Sequence, residues 1–200
     1  MIALVVGGAR SGKSEVAERL AERLRDSGYQ GSGYQGSGYQ DSGHRGAGHV
    51  AAHGEPFVTY VATGATGLGD QDFDARIARH RARRPEHWRT VEVARGRRLS
   101  PALASRGVVL VDSLGTWLAG HADYVADVDD LIAALEQRRA GRLSAVLVSD
   151  EVGLGVHPET HDGLAFRDAL GELNRRVAET ADEVRLVVAG RVLMLPREDA

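Results

Sequence analysis

The chain of 200 residues contains no cysteine. Disulfides and thiolate metal sites are therefore excluded. It contains one lysine, Lys13; every other long cationic side chain is arginine. No apolar run approaches the length of a membrane span. Nothing like a signal peptide precedes the first apolar stretch, so the expected setting is soluble and cytoplasmic. Positive charge is not in excess either. The formal net charge of −3 provides no general attraction to nucleic acid or to a membrane surface. What remains is 42% hydrophobic, enough for a real core in one domain spanning residues 1–200.

The chain is organised around Gly7–Ser14, which reads Gly-Gly-Ala-Arg-Ser-Gly-Lys-Ser. This fits G-x-x-x-x-G-K-[ST], the phosphate-binding loop, and its context is right: apolar Ile2–Val6 precedes it and amphipathic Glu15–Arg25 follows. Glycines let backbone N–H groups curl around an anion without Cβ clashes. The helix that follows points the positive end of its dipole at the same anion. Lys13 is placed to reach the β- and γ-phosphates, and the Ser14 hydroxyl to bind Mg²⁺. The one lysine thus stands where a compact ammonium suits phosphate. The bland alternative is a glycine-rich turn that binds nothing.

Ile2–Val6 is short and continuously apolar, as in a strand buried on both faces of a parallel sheet. In the helix after the loop, Val16, Leu20 and Leu24 recur at i+4, and Asp26-Ser27-Gly28 is the expected stop. Composition then changes. Gly28–Ser42 repeats Gly-Tyr-Gln-Gly-Ser with small variations. This period of five matches no solenoid or propeller repeat. Residues 28–55 are poor in aliphatics and read as a flexible, low-complexity surface insertion. Either it is a tolerated expansion, or it is a Tyr/Gln tract that recruits a partner. Its His44, His49 and His53 offer at most an adventitious metal site.

Order resumes with a strand at Phe57–Ala62, followed by a Gly/Thr-rich loop, Thr63–Gly69, at its carboxyl end. Open α/β sheets place ligands at that end. Asp70–Arg83 reads as a helix stopped by Pro85, and Arg89–Val93 as a short strand. Val108–Asp112 is a buried strand ending in a carboxylate. Beside a phosphate loop this is the Walker B arrangement, and Asp112 would hold Mg²⁺ directly or through water. The alternative is an Asp that caps the next helix. Asp127–Arg139 and Thr160–Ala181 read as helices; Ala145–Ser149, Val184–Val188 and Arg191–Leu195 read as strands. Alternating strands and helices argue for an α/β fold with a mostly parallel sheet.

The stretch Ala75–Glu92 carries Arg-Ile-x-x-His-Arg-x-x-Arg-Pro-x-x-Trp-x-Thr-x-Glu. Helical spacing puts Arg76, His80 and Arg83 or Arg84 on one face. Guanidiniums around an imidazole disfavour its protonation and leave a neutral nucleophile. They also suit forked hydrogen bonds to phosphate. A solvated basic face with an ordinary histidine is the other reading of the same spacing.

These pieces together resemble the bifunctional adenosylcobinamide kinase/adenosylcobinamide-phosphate guanylyltransferase family of cobalamin biosynthesis. The resemblance rests on Gly7–Ser14, Tyr60–Thr63, Ala75–Glu92, Val109–Asp112, Glu151–Gly155 (Glu-Val-Gly-Leu-Gly) and Phe166–Val188, in the family's order. It implies a P-loop, RecA-like α/β fold and a homotrimer. It also implies two reactions: phosphorylation of the aminopropanol hydroxyl of adenosylcobinamide by ATP or GTP, then transfer of GMP from GTP through a histidine to that phosphate. The family's guanylylated histidine falls on His80, which joins Lys13 as a catalytic residue. Its nucleotide contacts fall on Gly7, Gly8, Ala9, Arg10, Ser11, Gly12, Lys13 and Ser14, then on Thr63 and Gly64. Further contacts fall on Arg81, Ala82, Arg83 and Arg84, and on Glu92 and Asp112. Mg²⁺ falls to Ser14 and Asp112. His87, past the helix-breaking Pro85, is the rival nucleophile. The partners implied are nucleotide and corrinoid, with no nucleic acid and no membrane segment.

The chain departs from the family at the 28–55 insertion, in a longer Thr63–Asp72 loop, at Ala119-Gly120-His121, and at Asp150, where Asn is common. Two other functions stand beside this one: a kinase alone, with His80 structural, and a nucleotide-dependent interaction module that uses the Tyr/Gln tract.

Overall fold

The computed structural model describes residues 1–31, 58–64 and 85–197. The 32–55 part of the insertion and the expected helix Asp70–Arg83 lie outside the described residues.

Seven strands form one sheet in the order β3-β2-β4-β5-β1-β6-β7. They are β1 (Ile2–Gly7), β2 (Val58–Ala62), β3 (Arg89–Glu92), β4 (Val108–Asp112), β5 (Ala145–Asp150), β6 (Glu183–Val188) and β7 (Arg191–Leu195). All pairings are parallel except β6 with β7, which is antiparallel. The helices among the described residues are α1 (Lys13–Gly31), α2 (Ser100–Leu103), α3 (Leu114–Leu118), α4 (Val128–Ala140) and α5 (His161–Thr180), with a 3₁₀ turn at Ala122–Tyr124.

The continuous apolar strands have the expected cause: both faces of the sheet are covered. Along β1, Ile2, Leu4 and Val6 join one core with Leu147 of β5 and Leu170, Leu173 and Val177 of α5. Ala3 and Val5 join the other core with Val16, Ala17, Leu20 and Ala21 of α1. The period of two along the strand serves two layers at once.

Several boundaries differ from expectation. α1 passes the expected stop and runs to Gly31. A glycine inside a helix costs only about 1 kcal/mol relative to alanine, too little to end a helix already propagating. α2 and α3 were not legible, because four or five residues show too little of a 3.6-residue period. α4 and α5 begin as their caps dictate: Asp127 accepts from Asp130 N, and Thr160 from Gly163 N.

One buried charge ties the connections together. Arg138 of α4 is 3% exposed. Its guanidinium donates to the carbonyls of Leu103, Ser105 (2.6 Å), Gly107 (2.6 Å) and Ser144 (2.8 Å). The strand entries of β4 and β5 are thus clamped to one side chain. Burial lowers its pKa to about 10, so it remains charged at neutral pH. Arg138→Ala orphans these carbonyls together and should destabilise the fold by about 3 kcal/mol or more. Chemical denaturation checks this, with Arg175→Ala on the exposed face of α5 as a control whose midpoint should scarcely move.

Candidate active site

The parallel register brings the chemistry to one edge. At the carboxyl ends of the strands, Gly7 of β1 pairs with Asp150 of β5 and with Val187 of β6. Asp112 of β4 pairs with Val148 of β5 and with Ala62 of β2. The loop from Gly8 to Gly12 leaves β1 there and turns into α1.

Its geometry explains its glycines. A Cβ at Gly7 would fall 2.6 Å from both Ser11 Oγ and Val187 O, closer than any side chain tolerates. Gly12 has φ +91°, a left-handed conformation that favours glycine. Arg10 is also left-handed, at φ 57°. Val16 N bonds to Gly12 O as the helix starts. The amides before it therefore have no carbonyl one turn back within the helix, and α1 adds its dipole at the same point. Ser11 Oγ is buried without a hydrogen-bond partner.

Lys13 and Ser14 open α1. Lys13 Nζ lies 2.8 Å from Asp150 Oδ1 and donates to Gly8 O at 3.2 Å. Ser14 Oγ donates to Asp112 Oδ1 at 3.4 Å, across 98 positions of sequence. The other carboxylate oxygen of Asp112 accepts from Tyr60 OH at 2.7 Å. Asp112 does not cap the helix after it: Ser113 does, accepting from Thr116 N. The carboxylate is left facing the loop. A hydroxyl and a carboxylate beside a phosphate loop are the hard oxygen donors that Mg²⁺ takes together with phosphate oxygens. Among the described residues no cluster of three or more His, Asp or Glu could hold a metal by itself.

The chain matches the family model "Cobinamide kinase / cobinamide phosphate guanyltransferase" over residues 37–195. It is 35% identical to the bifunctional adenosylcobalamin biosynthesis protein CobP of Pseudomonas aeruginosa, over 98% of this chain and 97% of that one. It is 34% identical to the bifunctional adenosylcobalamin biosynthesis protein CobU of Salmonella typhimurium, over 95% and 97% respectively. The chain belongs to this family. Among solved structures it is similar to the flagellar accessory protein FlaH of Methanocaldococcus jannaschii, at 18% identity over 96% of this chain and 74% of that one, with a TM-score of 0.48.

The remaining residues of the cobinamide kinase/guanyltransferase motifs divide into three groups. Thr63 is 4% exposed. Its hydroxyl bonds Ser113 O and Thr116 Oγ1, both at 2.7 Å, and accepts from Ser113 N at 2.9 Å. It locks the exit of β4 to that of β2, and Thr63 N donates to Asp112 O at 3.3 Å. Glu92 ends β3 in register with Ala62, two strands from Asp112 on the same edge. His80, Arg81, Ala82, Arg83 and Arg84 lie outside the described residues.

The end of that motif is described. Trp88 is 7% exposed, with its ring centroid 6.3 Å from that of Tyr60. Its Nε1 donates to Glu22 of α1. His87 Nε2 lies 3.2 Å from Glu22 Oε1 and also contacts Arg25. Glu22 is about 14 Å along α1 from Lys13 at 1.5 Å per residue. The rival nucleophile thus sits on the flank of α1, away from the loop. Sequence reasoning gave Tyr60 no role of its own, although a tyrosine amid a buried apolar strand implies a partner for its hydroxyl.

The Tyr60 hydrogen bond orients Asp112. Tyr60→Phe should leave the fold intact and raise the Mg²⁺ concentration needed for half-maximal nucleotide binding by about tenfold. Calorimetric titration of GTP at several Mg²⁺ concentrations reads this directly.

Proposed function

We propose that this chain carries out both reactions of its family: phosphorylation of adenosylcobinamide, then guanylyl transfer through His80. The observation that carries the reading is end-to-end similarity to bifunctional relatives, in a chain whose Lys13, Ser14 and Asp112 converge on one strand edge. In the first reaction the loop amides and Lys13 hold the triphosphate of ATP or GTP. The aminopropanol hydroxyl attacks the γ-phosphorus, the γ-phosphate's anhydride bond to the β-phosphate breaks, and the nucleoside diphosphate leaves. Ser14 and Asp112 would hold Mg²⁺, which would supply charge neutralisation on the phosphates.

In the second reaction a neutral nitrogen of His80 attacks the α-phosphorus of GTP. A P–N bond forms, the α–β anhydride bond breaks, and pyrophosphate departs. An oxygen of adenosylcobinamide phosphate then attacks the same phosphorus, releasing His80 and giving adenosylcobinamide-GDP. Arg81, Arg83 and Arg84 are assigned to charge on the departing pyrophosphate. Glu92 and the main chain at Thr63, Gly64 and Ala82 are assigned to nucleotide contact. The enzyme is read as one cytoplasmic nucleotide-binding domain, with the low-complexity stretch as an insertion. No helix among the described residues is long and apolar enough to cross a membrane.

A homotrimer is part of the proposal. Its support is a sheet edge: among the described residues β7 pairs with β6 alone, and Val192, Leu193, Met194 and Leu195 are 39–59% exposed. An apolar edge strand of this kind is a surface to be covered by another copy. Leu193→Asp should therefore lower the mass measured by sedimentation.

Covalent labelling tests the chemistry. With Mg²⁺ and GTP labelled at the α-phosphate, the protein should acquire an acid-labile GMP adduct at His80; γ-label should leave none. His80→Asn should lose the adduct and guanylyl transfer while phosphorylating adenosylcobinamide. A folded, GTP-binding protein without adduct would reduce the function to a kinase.

A further inference from the structure

Asp150 has no role in the two reactions as assigned, yet it holds the loop lysine. It ends β5 in register with Gly7, and its Oδ1 lies 2.8 Å from Lys13 Nζ. The seat for this carboxylate is built. Glu151 N donates to Gly7 O at 3.0 Å, fixing the end of β5 to the end of β1. Asn174 of α5 donates from Nδ2 to Asp150 O at 3.0 Å. Gly115 of α3 leaves the space that the second oxygen fills: a Cβ there would fall 2.7 Å from Asp150 Oδ2. The Lys13 and Asp150 side chains are 13% and 33% exposed, so the pair is only partly screened by water.

We propose that Asp150 is a built-in competitor of the nucleotide's terminal phosphates, neutralising Lys13 while they are absent and displaced from it when they bind. The proposal rests on the phosphate-loop reading of Gly7–Ser14. Its physical basis is that the ammonium has three donors, of which Gly8 O takes one and Asp150 another. A phosphate approaching Lys13 meets a carboxylate already in place, and like charges in a crevice repel more strongly than in water. The penalty falls on ligands whose phosphates reach Lys13. It is felt by a triphosphate or pyrophosphate and hardly by a monophosphate. The same contact favours departure of pyrophosphate, because the lysine it leaves is recaptured within the protein. Asp150 thereby sets how tightly the site holds a polyphosphate.

The test is equilibrium binding of GTP, pyrophosphate and GMP to the full chain with Mg²⁺, for the unmodified protein and Asp150→Asn. Asn keeps the shape of the side chain and removes its charge. Asp150→Asn should bind GTP and pyrophosphate about tenfold tighter and GMP within about twofold of the original. The gain should shrink as salt is raised, and pyrophosphate should dissociate more slowly in stopped flow. In a Lys13→Met background the gain should be smaller, since the contest for the ammonium is gone; this double-mutant cycle isolates the pair. Unchanged or weaker GTP binding by a folded Asp150→Asn protein overturns the proposal. Weakening confined to Mg²⁺-containing solutions would make Asp150 a metal ligand and overturn it as well. An unmodified protein that binds no GTP at all would remove the phosphate-loop reading itself, a result distinct from either.

Discussion

The parallel pairing of β1 with β5 is the constraint on which the rest depends. It sets Gly7 beside Asp150 and, through β4, fixes the height of Asp112 at the same edge. A slip of one residue would turn every side chain of β1 to the opposite face. The two cores would lose their alternation, and the loop would leave the sheet pointing away from Asp112. Burial on both faces forbids that slip. The hydrophobic effect, which has no directional preference of its own, thus sets the Ser14 hydroxyl against the Asp112 carboxylate, 98 residues apart in sequence.

The sheet is stiffened by hydrogen-bonded side chains at both ends of its strands. Arg138 gathers the connections at the opposite end of β4 and β5 with four backbone acceptors. Thr63, Ser113 and Thr116 form a closed hydroxyl cluster where β4 leaves the sheet. Tyr60 spans from the core beside Trp88 to the carboxylate of Asp112. Buried polar groups hydrogen-bonded in this way hold a geometry more sharply than apolar packing does.

Much of this was legible in the sequence. Gly7–Ser14 states its own conformation, because glycines, lysine and serine at that spacing have one good physical use after a buried strand. The apolar strands and the Leu170–Leu173–Val177 stripe of α5 were readable from period alone. The short helices α2 and α3 were not, and the extension of α1 to Gly31 contradicted a local stop signal. Short elements and helix ends depend on tertiary packing more than on propensity. For Asp112 the sequence left two roles open, metal ligand and helix cap, since both put a carboxylate at a strand end. Ser113 takes the cap, which removes the second of these roles.

By itself, then, the sequence determined the phosphate loop, the α/β alternation and the family, because each is written in contiguous residues whose chemistry or spacing is local. Tertiary structure decided which distant groups meet. The pairing of Asp150 with Lys13, the hold of Tyr60 on Asp112, and the removal of His87 to the flank of α1 arise only when strands far apart in sequence are set in register. No periodicity encodes a contact between two strand ends. The register does, and burial on both faces of the sheet fixes it.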